Sequence, residues 1–347
     1  MTRSNGQTYL KTRAAVMSDA LLEERDIDAL LQTPLPQLEQ QYGLQGLSEQ
    51  QLGPVVQTRM VERSLLNTLM GELSILLRPL AGRARESLVY WSRKFELYNL
   101  KALIRGKLNN QPYDEIRESL HLLPALISLP HEQLLRTENV PELLRQLEQT
   151  AYQSIARQAR QVYEEKNESF SLDATIDQRY YTGLMKHARN CENGDQPDLL
   201  KLISTLIDRQ NLPWLLRYRF NYRLSPTETY YLMISSGRRI PADLLKRLVN
   251  TQDLQQALEV LPALPGCDLS DRNSIMQVEL AMNELLIREC RHCLSFSHSA
   301  VARSLAYLML RELDLKRVFA IIQGRVMKLD DALIRQAVDR QTEALHV

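Results

Sequence analysis

Cys290 and Cys293, separated by Arg291 and His292 and followed by His298, come nearest to a metal centre among the residues of this 347-residue chain. Thiolate and imidazole suit zinc, but a closed zinc site takes four such ligands. Residues three apart on a helix are neighbours on one face, so the two cysteines also read as small apolar thiols packed side by side. Cys191 and Cys267 lie far away in the chain and would have to be brought in by the fold. The packed reading is the simpler one, and neither a metal nor a cofactor is expected. The six histidines (His121, His131, His187, His292, His298 and His346) show no mutual spacing of a catalytic pair. Tyr180-Tyr181 and Tyr230-Tyr231 read as half-buried helix residues rather than stacking platforms.

Three acids are more informative, because they recur in one local pattern. The segments Phe95 to Lys107, Ile207 to Arg219 and Leu313 to Arg325 align without gaps. An acid stands second in each (Glu96, Asp208, Asp314) and a base closes each (Lys107, Arg219, Arg325). The first two share Asn99 with Asn211 and Arg105 with Arg217. The third has Arg317 and Gln323 there, and ends on Gly324-Arg325. At about 100° per residue, Leu100, Leu103 and Ile104 form one stripe. Leu212, Leu215 and Leu216 match them in the second copy, and Val318, Ile321 and Ile322 in the third. Each segment is thus an amphipathic helix with a carboxylate at the margin of its buried face. Such an acid suits an ion pair or a helix–helix hydrogen bond better than a proton relay, so no catalytic residue is expected. Pro213 should break the second copy, either with Asn211 capping a new helix or with a kink.

Helices must position these segments. Leu, Gln, Arg and Glu are abundant, glycines number only 12, and aromatics make up 6%, a composition of good helix formers. Two further landmarks repeat. Leu30-Leu-Gln-Thr33, Leu134-Leu-Arg-Thr137 and Leu248-Val-Asn-Thr251 each precede polar, leucine-spaced stretches, and Glu62, Asp177 and Glu279 each open a long helical run. The common order predicts an all-α chain of three similar modules, at residues 1–120 (with an N-terminal helix), 121–225 and 226–347, as a pseudo-threefold or solenoid-like stack. Ser225-Pro-Thr-Glu228 is a capping box with Pro at the first helical position. Gly237 and Pro241 are expected to end one helix and start the next. Pro124, Pro130 and Pro141 should divide residues 120–145 into short helices.

Several functions are excluded by what is missing. Neither Gly-x-x-x-x-Gly-Lys-Ser/Thr nor Gly-x-Gly-x-x-Gly occurs, so no ATP-binding loop is expected. Gly-x-Ser-x-Gly and His-Glu-x-x-His are absent too. Lys plus Arg number 43 against 42 for Asp plus Glu, which argues against a nucleic-acid surface. No run reaches the roughly 18 to 20 apolar residues of a membrane helix. The N-terminus lacks the apolar core of a secretory signal, and four scattered cysteines fit a reducing, cytoplasmic home.

The pattern acid-x-x-Asn-Leu-x-x-Leu-Leu/Ile-Arg, from Glu96 to Arg105 and from Asp208 to Arg217, resembles the signature of the family of C subunits of V/A-type ATPases (ATP synthases), counterparts of the eukaryotic V-ATPase d subunit. The opening Tyr9 to Leu22 is similar to that family's N-terminal helix, and Arg311 to Arg325 to its C-terminal repeat, so the resemblance spans the chain. It implies three similar helical domains around a pseudo-threefold axis, forming a funnel. One face would receive the central stalk, subunits D and F, and the other would sit on the cytoplasmic side of the membrane proteolipid ring. The protein would be a non-catalytic rotating adaptor, one copy per complex. It would touch the membrane only through the ring and couple proton or sodium transport to ATP hydrolysis or synthesis. The third copy departs from the pattern in lacking the Asn and the matching Arg. The competing readings are an unrelated α-helical repeat scaffold with a concave peptide-binding face and an all-helical enzyme, which would need a pocket gathering acids.

Overall fold

The computed structural model describes residues 3–44, 47, 53–166, 169–235, 238–261 and 274–340, and every regular element among them is helical. In chain order these are α1 (Arg3–Ser18), α2 (Glu24–Gln32), α3 (Leu35–Gln41), α4 (Pro54–Leu77), α5 (Gly82–Leu108), α6 (Tyr113–Ser119), α7 (His131–Leu135), α8 (Val140–Leu147), α9 (Gln153–Lys166), α10 (Ser169–Arg189), α11 (Gln196–Leu216), α12 (Pro226–Leu232), α13 (Ala242–Val249), α14 (Leu254–Val260), α15 (Ile275–Phe296), α16 (Ala300–Val326) and α17 (Asp331–Arg340). A π-helical turn, Arg217–Asn221, continues α11.

Local chemistry explains the starts. Asn139, Asp253, Ser274 and Ser299 each accept the backbone N–H three residues on, capping α8, α14, α15 and α16, which satisfies an orphan donor at the helix N-terminus. The Ser225–Glu228 capping box forms as expected. Pro130 and Pro141 stand at the starts of α7 and α8. Pro241 is the N-cap of α13 rather than a helical residue, and α12 stops at Leu232. Gly237 lies outside the described residues.

The chain divides into two compact units. One comprises Met1–Ala81, Asn193–Pro213 and Pro262–Val347. Its axis is α16, which packs against α1, α4, α15 and α17 and the short α2 and α3. From Ala300 to Leu310 every residue but Arg303 is buried, because small residues (Ala300, Ala302, Ser304 and Ala306) stand among larger apolar ones and let neighbours approach from all sides. A helix apolar all round belongs at the centre. Glu72 of α4 ties into it, accepting from Tyr307 Oη (2.9 Å) and Arg311 Nε (3.1 Å).

The other unit comprises Gly82–Glu192 and Trp214–Leu261. Here α10 packs on α9 and α5, and α8 on both of those. Tyr180 Oη donates to Trp91 O (2.7 Å), and the Tyr90 and Tyr180 rings stack at 5.7 Å. Lys101 Nζ meets Asp177 Oδ1 at 2.5 Å, joining α5 to α10.

Three expectations need correcting. Pro213 neither breaks the helix nor makes Asn211 a cap; α11 runs through it. A helical φ suits proline, and the lost hydrogen bond, a cost of about 3 kcal/mol, is offset by complete burial of Leu212, Leu215 and Leu216 at about 1.5–3 kcal/mol each. Glu62, Asp177 and Glu279 do not open their helices, which begin at Pro54, Ser169 and Ile275. Tyr180 and Tyr181 are fully rather than half buried, and Tyr231 is 72% exposed.

Candidate functional site: three repeated helix-end junctions

Each closing base reaches the same place in a short helix. Lys107 Nζ donates to the carbonyls of Leu135 (3.0 Å) and Thr137 (2.5 Å). Arg219 donates to Val249 O (2.6 Å) and to Thr251 O (3.4 Å). Arg325 donates to Leu31 O. These acceptors are the second and fourth residues of Leu134–Thr137 and Leu248–Thr251, and the second of Leu30–Thr33. They end α7, α13 and α2, where carbonyls lack intrahelical partners. A cation there satisfies them and complements the helix dipole. The Thr hydroxyls turn back onto the same helices: Thr137 to Leu134 O (2.7 Å), Thr251 to Leu248 O (2.6 Å) and Thr33 to Ala29 O (2.8 Å). The sequence showed both motifs, but nothing in it joined them.

The long helices also end alike. Asn110, Arg223 and Lys328 take left-handed φ values of 52°, 57° and 56°. The next residue's N–H then returns to the helix, from Gln111 to Gly106 O (2.8 Å), Leu224 to Tyr218 O (2.9 Å) and Leu329 to Gly324 O (2.9 Å). This is the closure that a left-handed C-terminal residue permits. The second copy spans one more residue, which the π turn Arg217–Asn221 absorbs. In the first and third copies the next helix lies against the glycine: a Cβ on Gly106 would stand 2.5 Å from Ile116 Cγ1, and one on Gly324 2.5 Å from Ile334 Cγ1. In the second copy Tyr218 replaces the glycine, and the buried residue level with the isoleucines is the smaller Thr229.

The acids close the other side of the junction. Glu96 Oε1 accepts from Leu129 N (2.8 Å) and lies 2.6 Å from His131 Nε2, while Oε2 accepts from Asn99 Nδ2 (2.9 Å). Asn99 also pairs with the His121 backbone, accepting at 2.7 Å and donating at 2.9 Å. Asp314 Oδ2 accepts from Leu22 N (2.9 Å). Leu129 and Leu22 each stand two residues before their helix, α7 and α2, so the two carboxylates do the same work. Burial pushes the Asp314 carboxyl up to about 6, against the pull of the Leu22 N–H and of Arg317, Arg311 and Arg291. Asp208 and Asn211 are wholly buried. Arg105 and Arg217 are half-buried. The nine stripe residues named from the sequence are at most 1% exposed.

Cys290 and Cys293 are buried in α15. Burial pushes both thiols up, Cys293 to about 12, so they are neutral packing groups at pH 7. Cys267 lies outside the described residues. Among those that are described, no group of three or more His, Cys, Asp or Glu is placed to hold a metal, and no helix is long and apolar enough to cross a membrane. Sequence reasoning missed His131 as the partner of Glu96, and missed the Lys101–Asp177 pair. The arrangement can hold helices against one another, with its polar groups spent on backbone amides and carbonyls.

The profile of the ATP synthase (C/AC39) subunit family matches residues 10–337. The chain is similar to the C subunit of the A-type ATP synthase of Methanococcoides burtonii, 24% identical over 284 residues, covering 78% of this chain and 72% of that one. It is 22% identical to the C subunit of the A-type ATP synthase of Methanosarcina mazei over 344 residues, 96% of this chain and 92% of the other. It is 23% identical to the C subunit of the V-type ATP synthase of Thermus thermophilus over 278 residues, 80% and 82% of the two chains.

Proposed function

The chain belongs to the ATP synthase (C/AC39) subunit family, and from that premise we propose that it is a non-catalytic adaptor of a rotary ATPase, joining the central stalk to the membrane ring. The family match over residues 10–337 carries this reading. One copy binds the stalk subunits D and F on one side and the proteolipid ring on the other. The protein is peripheral on the inner face of the membrane, held there through the ring. It passes torque between ATP turnover in the head and proton or sodium movement through the ring.

We also propose that residues 1–120, 121–225 and 226–347 form three modules about a pseudo-threefold axis, making a funnel. The junctions support a closed set over an open stack. In this division each closing base binds the Leu-x-x-Thr turn of the next module, and Arg325 of the third binds Leu31 of the first. An open solenoid would leave the last base without such a turn. Closure suits an adaptor, since close-packed helices resist twisting.

Native mass spectrometry of the chain mixed with the D–F pair and the detergent-solubilised ring tests the assignment. A one-to-one complex with the stalk pair, extended by the ring, is expected. Failure of both folded partners to bind would overturn it.

A further inference from the structure

The second and third copies differ at one seam. Aligning Asp177 with Glu279 puts Gln178 of α10 level with Leu280 of α15, and aligning the starts of α12 and α17 puts Tyr231 level with Gln336. In the second copy Gln178 Nε2 donates to Tyr231 O (2.6 Å) and Met233 O (3.1 Å), sealing α12 onto α10. In the third, Leu280 and Gln336 instead line an open groove of about 990 Å³ between α15 and α17. A side chain that would bolt the seam has been replaced by one that cannot hydrogen-bond.

The groove has an apolar floor and an acidic rim. Leu280, Ile287 and Leu333 supply the floor, and Leu333 is 49% exposed. Leu280 and Ile287 are seven apart on one face of α15, the spacing that accepts the ridge of another helix. Four carboxylates line the groove against two guanidiniums. Both guanidiniums are already engaged: Arg335 by Glu24 (2.8 Å), Asp28 (2.5 Å) and Asp339 (3.1 Å), and Arg317 by Glu24 at 3.9 Å. Glu284 stands exposed between Leu280 and Ile287. The rim therefore presents net negative charge, which disfavours anionic lipid and nucleic acid and favours a cationic ligand.

We infer that this groove docks an amphipathic helix of a partner protein, with apolar residues on one face and Lys or Arg flanking them. An apolar stripe seated in a groove supplies the contact, and the acidic rim selects the partner and sets its orientation. The inference does not rest on the stalk–ring role.

Fluorescence anisotropy of the full chain with a labelled helical peptide, leucines at i, i+4 and i+7 flanked by lysines, tests it. Binding is expected, and a peptide of the same composition with leucines scattered round the helix should not bind. Glu284→Lys should weaken binding about tenfold or more. Leu280→Gln, which restores the bolt of the second copy, should weaken it similarly without lowering the melting temperature. Equal binding of the scattered peptide, or unchanged affinity in both variants, overturns the proposal. So does sedimentation showing that the chain alone dimerises and that Glu284→Lys disperses the dimer, since the groove would then receive a second copy.

Discussion

Glu96 and Asp314 hold the same place in two copies of one junction but keep different company. Both accept a backbone N–H, from Leu129 and from Leu22, but Glu96 also has His131 and Asn99 beside it, whereas Asp314 has arginines at longer range. Its carboxyl is raised from 3.8 to about 6, chiefly by burial. Between those two values the folded protein keeps a proton that the unfolded chain has released. The contribution of Asp314 to folding stability therefore falls as pH rises from about 4 to about 6, and the loss persists above that range. Asp314→Asn removes the titration while leaving an oxygen for Leu22 N. We expect the variant to show a flatter stability–pH curve between pH 4 and 6. At pH 7 it should be at least as stable as the parent, by on the order of 1–3 kcal/mol at most. Urea melts across that range check this, and parallel curves for the two proteins would contradict it. The sequence placed the three acids at the edge of apolar stripes. It did not show that Glu96 meets His131, because that partner lies 35 residues on, in a proline-divided stretch without periodicity.

At the scale of elements, the repeated device is a cation on the last carbonyls of a short helix. Such bonds to charged donors contribute about 1.5–3 kcal/mol. Arg219→Met should destabilise by about that amount, because Arg219 reaches Leu224, Val249 and Thr251 together. Lys107→Met, with two carbonyls to lose, should cost less. Hydrogen exchange should quicken at the C-terminal ends of α13 and α7 respectively, and at α2 in Arg325→Met. Unchanged melting and exchange in all three would mean that the contacts are incidental. Helix content was legible, as were the starts marked by Ser225, Pro130 and Pro141, which act through local chemistry. The cap expected at Asn211 did not form because tertiary burial of the leucines beside Pro213 overrode the local penalty. The landmark acids were misread as starts because Gly53-Pro54 and Ser274, further upstream, set the true ones. The junction pairing was legible only as two recurring motifs. Proximity between residues 325 and 31 arises from the fold, and no local signal carries it.

For the whole molecule, the order of the junctions matters more than any one of them. Arg325 donates to Leu31 O within one compact unit, and in the proposed three-module division this contact would join the third module to the first. The repeat pointed to the family that residues 10–337 match. The decisive measurement is ion uptake per ATP hydrolysed in vesicles carrying the purified complex, with and without this chain. The account predicts that complexes lacking it still hydrolyse ATP but no longer drive ion uptake, and that adding the chain back restores uptake. Ion uptake that persists at the full ratio in its absence would contradict the adaptor role.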